Sequence, residues 1–312
     1  MIRALAILII ALFALVLVAN AFAGVERFQG LYWLLSLFFV IASWIAAWAL
    51  GWLLDILVKG RISRFIVPAS FGIAIIAGWE AYVQASAIPP ALLPAPSAIW
   101  AKLSDSVPIL AADFVQTFIR AVIPGWLIGC GAGFFVALLC DRNDFLRRGL
   151  LPLGNLVAAL PIVGVAPILV MWFGFDWPSK AAMVVVMTFF PMLINTLAGL
   201  SATSYMERDL MTSYAAPWFT TLIKLRLPAA MPFIFNALKI NSTLALIGAI
   251  VAEFFGTPIV GMGFRMSVEV GRLGLDMVWA EVAVAAIAGS LFYGCLAFLE
   301  RRITLWHPSY RR

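Results

Sequence analysis

Few residues of this chain have side chains that could do chemistry, and they are scattered. The single histidine, His307, lies in the polar C-terminal tail, so a histidine-based metal or acid–base site is not expected. Cys130, Cys140 and Cys295 sit in or beside apolar stretches without the spacing of metal ligands. We interpret the three cysteines as small hydrophobic residues.

Nucleotide and carboxylate chemistry are not predicted either. No stretch matches Gly-x-x-x-x-Gly-Lys-Ser/Thr, the loop that holds phosphates with backbone N–H groups. Asp55, Glu80 and Glu253 lie near the ends of apolar stretches, where water is available, and no cluster of carboxylates is expected inside one. The chain is therefore predicted to have no catalytic residue, no metal ion and no cofactor of its own.

Basic residues inside apolar stretches are the exceptions, because ionisable groups are costly in lipid and tend to be functional there. Arg120 lies near the start of its stretch, from which its side chain can extend to the membrane surface. Lys239 lies close to Asn236 and Asn241. We predict that these three residues face a translocation path for an anionic or hydrogen-bonding solute. Contact between helices inside a bundle is the alternative.

The elements that must position these residues are membrane-spanning helices. Hydrophobic residues make up 64% of the 312 residues, well above the proportion in soluble proteins. They occur in continuous runs of about 20, the length needed to cross a bilayer as a helix. The predicted fold is an all-α integral membrane protein with eight helices, at about 4–23, 31–58, 66–84, 113–140, 150–172, 180–200, 232–255 and 278–299.

Charge distribution predicts the orientation in the membrane. The net charge of +6 is interpreted as a topology signal rather than as a nucleic-acid surface. If the N-terminus is cytoplasmic, 14 of the 21 basic residues fall on the cytoplasmic side, which favours cytoplasmic N- and C-termini. The segment 201–231 is then cytoplasmic. The start of the chain also has features of a signal peptide, with Ala21-Phe-Ala23 as a cleavage site, but we expect an uncleaved helix.

The segment 201–231 is the polar, patterned exception among the apolar runs. Residues 206–228 predict two short helices joined by a turn, with Pro217 at the start of the second helix. An apolar stripe at helical spacing follows, comprising Trp218, Phe219, Leu222, Ile223 and Leu227. Pro228 and Pro232 are expected to break the chain before the next span. Docking to a partner protein and lying flat on lipid are equally compatible with this pattern.

At these residues the chain resembles the "EAA" loop of the transmembrane subunits of type I ABC importers. In that family the loop carries a coupling helix that fits a groove on a separate ATPase. Asp209 stands where the family has Glu, Ala215 where it has Gly, and Leu227-Pro228 matches the end of the pattern. The resemblance implies that Asp209, Ala215, Pro217, Trp218, Phe219, Leu227 and Pro228 contact the ATPase. Replacing Gly by Ala puts the turn in doubt, because that position often needs a positive φ.

Further motifs resemble the nitrate, sulfonate and taurine branch of these permeases. They include Pro94-Ala-Pro96, Leu160-Pro161, Trp172-Phe-Gly174 and Glu300-Arg-Arg302, so that the resemblance covers about 66–306. It implies a permease core at 61–306, a two-helix extension at 1–60 and a polar tail at 307–312.

The implied protein is a multi-pass permease of the bacterial inner membrane. Its implied partners are an ABC ATPase, an extracytoplasmic solute-binding protein and a second permease, identical or homologous. The implied solute is a sulfonate-, taurine- or nitrate-like anion, or a heterocycle such as a thiamine-precursor pyrimidine. The alternative function is a secondary transporter driven by an ion gradient, which usually shows internal repeats and buried ionisable relays. No convincing repeat is visible in the sequence.

Overall fold

A computed structural model of the protein describes residues 63–85, 88–158, 161–256 and 259–306. The described residues form helices joined by turns and include no strand, which confirms the all-α prediction for that part of the chain. The predicted helices at about 4–23 and 31–58, the expected retention of the first helix and the tail at 307–312 lie outside the described residues.

Twelve α-helices and two π-helical stretches are present in the described residues. They are, in chain order, α1 (Ser63–Ala85), α2 (Pro96–Asp105), α3 (Val107–Phe114), π1 (Val115–Val122), α4 (Ile123–Arg142), α5 (Asp144–Ala158), α6 (Ile162–Phe173), α7 (Trp177–Leu200), α8 (Tyr205–Ser213), α9 (Trp218–Thr221), π2 (Leu222–Arg226), α10 (Leu227–Glu253), α11 (Met262–Gly271) and α12 (Leu275–Ile303).

Four helical segments among the described residues are long and apolar enough to cross a membrane. They are Val107–Arg142, Trp177–Leu200, Trp218–Glu253 and Leu275–Ile303. They coincide with four predicted spans, and each is longer than predicted, Val107–Arg142 and Trp218–Glu253 most of all. The total of eight spans is not confirmed.

The predicted single span at about 150–172 is wrong, because two helices, α5 and α6, occupy this region. Pro161 lies immediately before α6 and has an extended backbone, with φ −68° and ψ 109°. Proline lacks a backbone N–H and disfavours helical geometry in the residue before it, so a helix boundary is expected here.

The two longest segments each change from α to π geometry shortly before a proline. Pro124 follows π1 and Pro228 follows π2, each in the first turn of the next helix. A proline removes one donor from the helix ladder, and a wider π turn is a known way to absorb such a disruption. The helix therefore continues, and the prediction that Pro228 and Pro232 break the chain is wrong.

The described residues form two compact units. In the smaller unit, the rings of Trp79 and Trp279 pack with centroids 4.9 Å apart. The Glu80 carboxylate accepts hydrogen bonds from the backbone N–H of Ser97 at 2.8 Å and from its hydroxyl at 2.7 Å. The larger unit comprises residues 106–272 and 281–312, and it contains the segment 201–231.

Helix α7 is central to the larger unit and packs against both α4 and α10. Its contact with α4 depends on glycines at four-residue spacing. A Cβ atom on Gly125 would lie 2.6 Å from Cβ of Val184, and one on Gly133 would lie 2.5 Å from the carbonyl oxygen of Phe189. Small residues let helices approach this closely. The glycine seam therefore lies within the subunit, and Gly131, which faces open space, is not part of it.

Candidate functional site

Helix α8, the first helix of the segment 201–231, begins with a capping box. The Ser204 hydroxyl accepts a hydrogen bond from the backbone N–H of Glu207, and the Glu207 carboxylate accepts one from the backbone N–H of Ser204, at 3.3 and 2.8 Å. This reciprocal pair satisfies two backbone donors at the helix start. None of the residues of α8 is buried, so the box holds together a helix with little packing support.

Asp209, the residue at the expected Glu position, lies on α8 with an exposed side chain. It makes no hydrogen bond or ion pair with the described part of the chain. Tyr205, Met206 and Tyr214 are 86%, 81% and 77% exposed. Helix α8 thus presents a carboxylate and large apolar side chains that its own subunit does not cover.

Ala215 adopts the left-handed conformation that the family's glycine would allow, with φ +49°. The backbone N–H of Ala216 donates to the carbonyl of Met211 at 3.0 Å, and that of Ala215 donates to the carbonyl of Thr212 at 2.8 Å. These two hydrogen bonds define a Schellman motif that ends α8. The turn is therefore the one a glycine would form, with alanine accepting the strained position.

After this turn the predicted apolar stripe divides into two faces. Leu222 is buried and Trp218 is half-buried, with the Arg142 guanidinium 5.3 Å from the Trp218 ring centroid. Phe219 and Ile223 are 64% and 47% exposed. Pro217 lies just before α9, with φ −65° and an extended ψ of 156°, rather than inside the helix. Trp218 thus anchors the segment, while Phe219 is available to a partner.

Arginine side chains hold the segment to the helix bundle, which the sequence did not predict. Arg226 pairs with Asp141 at the end of α4 and donates from Nε to the carbonyl oxygen of Leu200 at 3.0 Å. Arg208 donates to the carbonyl oxygens of Ser201 and Thr203 at 2.7 and 3.0 Å. The arginines therefore satisfy carbonyl groups at and just beyond the C-terminus of α7, where a positive charge is favourable.

The residues predicted to line a translocation path do not share one environment. Lys239 forms an ion pair with Glu300 of α12 at 2.6 Å. Asn241 is fully buried and donates to the carbonyl oxygen of Thr188 at 2.8 Å, whereas Asn236 is exposed. Lys239 and Asn241 thus make the helix–helix contacts of the alternative interpretation, and of the three only Asn236 faces outward.

The expectation that no carboxylates cluster is wrong at the far end of α10. Asp113, Glu253 and Glu281 are buried, and the Arg265 guanidinium lies 2.8 Å from the Asp113 carboxylate. The Glu253 carboxylate accepts hydrogen bonds from the Thr117 hydroxyl and from the backbone N–H of Gly263, each at 2.8 Å. Sequence reasoning missed Asp113 and Glu281 because each lies within one turn of the predicted start of its span.

This carboxylate cluster fixes the start of α11. Gly261 has φ +144°, its backbone N–H donates to Asp113 at 2.6 Å, and a Cβ atom there would lie 2.7 Å from a Glu253 oxygen. No group of three or more histidine, cysteine, aspartate or glutamate side chains in the described residues is arranged to hold a metal ion.

Arg120 lies on π1 beside an open cavity of about 610 Å³. Its guanidinium donates to Gln116 at 3.2 Å, and the Gln116 amide donates to Asp176 at 3.0 Å. The pKa of Asp176 is lowered mainly by the hydrogen bond from the backbone N–H of Trp177, and further by the bond from Gln116. Arg120 is exposed and is linked through Gln116 to Asp176, which lies just before α7.

Comparison with known proteins identifies the class. Residues 129–305 match the family described as the binding-protein-dependent transport system inner membrane component, and the chain belongs to that family. The match includes the whole segment 201–231. The resemblance to ABC importer permeases is thereby confirmed, and the chain is a multi-pass membrane transport permease rather than an enzyme.

Several permeases are similar over most of the chain. The formylaminopyrimidine transport permease protein ThiX of Halalkalibacterium halodurans is 29% identical over 253 residues, which is 80% of this chain and 99% of the relative. The riboflavin transport system permease protein RibX of Chloroflexus aurantiacus is 26% identical and covers 74% of this chain and 86% of its own length. The taurine transport system permease protein TauC of Escherichia coli is 28% identical, with 64% and 70% covered.

Proposed function

We propose that this chain is the permease subunit of an ATP-driven importer and that it couples to a separate ATPase through residues 209–228. The observation that carries this proposal is the structure of the segment 201–231. It exposes an unpaired carboxylate at Asp209 and an aromatic ring at Phe219, yet Arg226 ties it tightly to the bundle. A surface that is uncovered on one side and rigidly attached on the other suits the transmission of force.

In this mechanism ATP hydrolysis takes place on the partner and movement is passed on by contact. Two ATPases draw together, pull on the segments 201–231 of two permease subunits and switch the helices between inward- and outward-open arrangements. The excess of basic residues in the loops that share a side with this segment supports a cytoplasmic location for it. Solute reaches the opposite face from an extracytoplasmic binding protein.

The proposed solute is a small anion of the sulfonate, taurine or nitrate kind, or a small heterocycle such as a thiamine-precursor pyrimidine. The names of the three relatives above refer to different solutes, namely formylaminopyrimidine, riboflavin and taurine. This range fits a permease core that accepts whatever the binding protein delivers. Two identical subunits, or this chain and a homologue, would enclose the path.

The coupling proposal is tested by purifying the tagged chain in detergent and asking whether a P-loop ATPase accompanies it. Phe219→Asp places a charge on a side chain that is 64% exposed and is expected to abolish the association. Leu92→Asp is the matched control, because Leu92 is 69% exposed and lies on the other side of the membrane in the predicted topology. Retention of the ATPase by Phe219→Asp contradicts the proposal.

Reconstitution distinguishes the ATP-driven importer from the alternative, a transporter driven by an ion gradient. Proteoliposomes that contain only this chain are expected to show no solute accumulation under an imposed proton or sodium gradient. Accumulation under those conditions, without nucleotide hydrolysis by any companion protein, would establish the alternative.

A further inference from the structure

A polar cavity of about 290 Å³ lies beside the segment 201–231 within the larger unit. Its charged lining consists of Arg147, Arg208, Arg226 and Asp141, and Thr212 and Thr221 add hydroxyl groups. Three guanidinium groups thus face one small space together with a single carboxylate. Like charges that converge in this way repel one another unless an anion lies between them.

The positive charge in this cavity is only partly compensated. Asp141 already pairs with Arg226. The NH1 and NH2 groups of Arg226 donate hydrogen bonds to the two carboxylate oxygens of Asp141, at 2.8 and 2.5 Å. Arg208 binds neutral carbonyl and hydroxyl oxygens. No ion pair among the described residues includes Arg147 or Arg208. Two positive charges in the cavity therefore lack an anionic partner within the described part of the subunit.

We propose that this cavity receives an acidic side chain of the ATPase, an inference that rests on the proposed coupling function. Met211, Thr212 and Thr221 of the cavity wall belong to the segment that exposes Tyr214 and Phe219. A protein that docks on those aromatic rings therefore contacts the segment that forms one wall of the cavity. The volume suits a carboxylate side chain, and guanidinium groups bind carboxylates through paired hydrogen bonds.

Arg147 is the residue through which the proposal is tested. It lies on α5 and is exposed, and its side chain has no hydrogen-bond or ion-pair partner in the described residues, so replacing that side chain disrupts no such contact within the subunit. Its neighbour Arg148 is also exposed but does not line the cavity. Arg147→Glu and Arg148→Glu therefore make the same change of charge at adjacent positions, and only the first alters the cavity.

The experiment measures the affinity of the co-purifying ATPase for the full-length permease in nanodiscs of zwitterionic phosphatidylcholine. Arg147→Glu is expected to weaken binding at least tenfold, and Arg148→Glu less than threefold. Replacing acidic residues on the docking face of the ATPase by lysine, one at a time, is expected to yield one variant that restores binding to Arg147→Glu. An equal effect of both glutamate variants, or none for Arg147→Glu, overturns the proposal.

Two further outcomes separate this inference from its alternatives. If Arg147→Glu weakens binding only in nanodiscs that contain anionic phosphatidylglycerol, a lipid phosphate occupies the cavity and the acidic side chain does not. If Phe219→Asp abolishes ATPase binding while Arg147→Glu leaves it intact, the coupling function stands and the cavity proposal fails. Retention of binding by Phe219→Asp counts against the coupling function itself.

Discussion

Arg226 and Asp141 form a two-point salt bridge across 85 residues of sequence, with donor–acceptor distances of 2.8 and 2.5 Å. The Asp141 side chain is 5% exposed and the Arg226 side chain 16%. A third hydrogen bond joins Arg226 to the carbonyl oxygen of Leu200. One side chain thus links the end of π2 to the ends of α4 and α7, and we expect movement of the segment 201–231 to be passed to both helices through it.

Arg226→Lys is expected to reduce the coupling between ATP hydrolysis and transport. Lysine keeps the charge but presents no planar fork, so it cannot bind both Asp141 oxygens and the Leu200 carbonyl in the same geometry. We expect the permease–ATPase complex to assemble normally and to hydrolyse several times more ATP for each solute transported. The measurement is the ratio of the two rates in proteoliposomes, with the exposed Lys224→Arg as control. An unchanged ratio would show that the salt bridge transmits no force.

Arg226→Ala tests how much the same salt bridge contributes to the stability of the protein. It leaves the Asp141 carboxylate nearly buried and unpaired, a change that typically costs about 3–5 kcal/mol. We expect a lower yield of monodisperse protein and earlier thermal unfolding in detergent. Asp141→Asn combined with Arg226→Gln removes both charges and is expected to recover part of this loss.

Ala215→Gly is expected to stabilise the turn that ends α8. The left-handed conformation costs a residue other than glycine about 1–2 kcal/mol, which glycine avoids. Glycine also has more freedom in the unfolded chain, and this lowers the stability of the folded protein by about 0.4–1 kcal/mol. The net gain is then between about 0 and 1.6 kcal/mol. Ala216→Gly is the control, because Ala216 is not among the residues with positive φ and only the entropic loss applies. Thermal unfolding of the two variants should shift in opposite directions.

Hydropathy was sufficient to predict where the long helices lie, because runs of apolar residues in lipid must satisfy their backbone groups internally. α7 and α12 begin and end within a few residues of the predicted spans. The continuity of α9, π2 and α10 was not predictable, because a proline following a π-helical stretch has the same sequence signature as a helix break. The left-handed turn at Ala215 was not predicted, because the alanine at the family's glycine position put that turn in doubt.

Within the candidate site, the pairings between residues distant in sequence could not be predicted from the sequence. Arg226 satisfies a carbonyl group of α7 and a carboxylate of α4. Lys239 has its partner 61 positions away, at Glu300. A single sequence carries no signal for such pairs, since charge and polarity alone do not specify which helices are neighbours.

The glycine seam between α4 and α7 predicts that alanine substitutions at two nearby glycines of α4 differ sharply in their effect on stability. Gly125→Ala would place a methyl group 2.7 Å from the carbonyl oxygen of Ala181, so the helices must separate. Overpacking of this kind typically costs about 1–3 kcal/mol. Gly131→Ala meets no atom within 4 Å and is expected to be neutral or slightly stabilising, because alanine favours the helix. Thermal unfolding in detergent should separate the two variants, and equal stability would contradict the packing of α4 on α7.

Lys239→Met tests whether the lysine acts on solute or only on Glu300. The predicted role in the translocation path requires that transport fall while assembly stays intact. The structure adds a second effect, because methionine leaves the Glu300 carboxylate unpaired at 8% side-chain exposure. We therefore expect Lys239→Met alone to lower both transport and thermal stability, since a buried charge without its partner is destabilising.

The double variant Lys239→Met/Glu300→Gln separates these effects, because it removes the unpaired charge while keeping the lysine absent. Thermal stability should return towards that of the unmodified protein. If Lys239 contacts the solute, uptake in proteoliposomes with the ATPase and binding protein stays low in the double variant. If Lys239 only pairs with Glu300, uptake recovers together with stability. Recovery of both would remove Lys239 from the proposed path and leave Asn236, the exposed member of the three, as the position to test next.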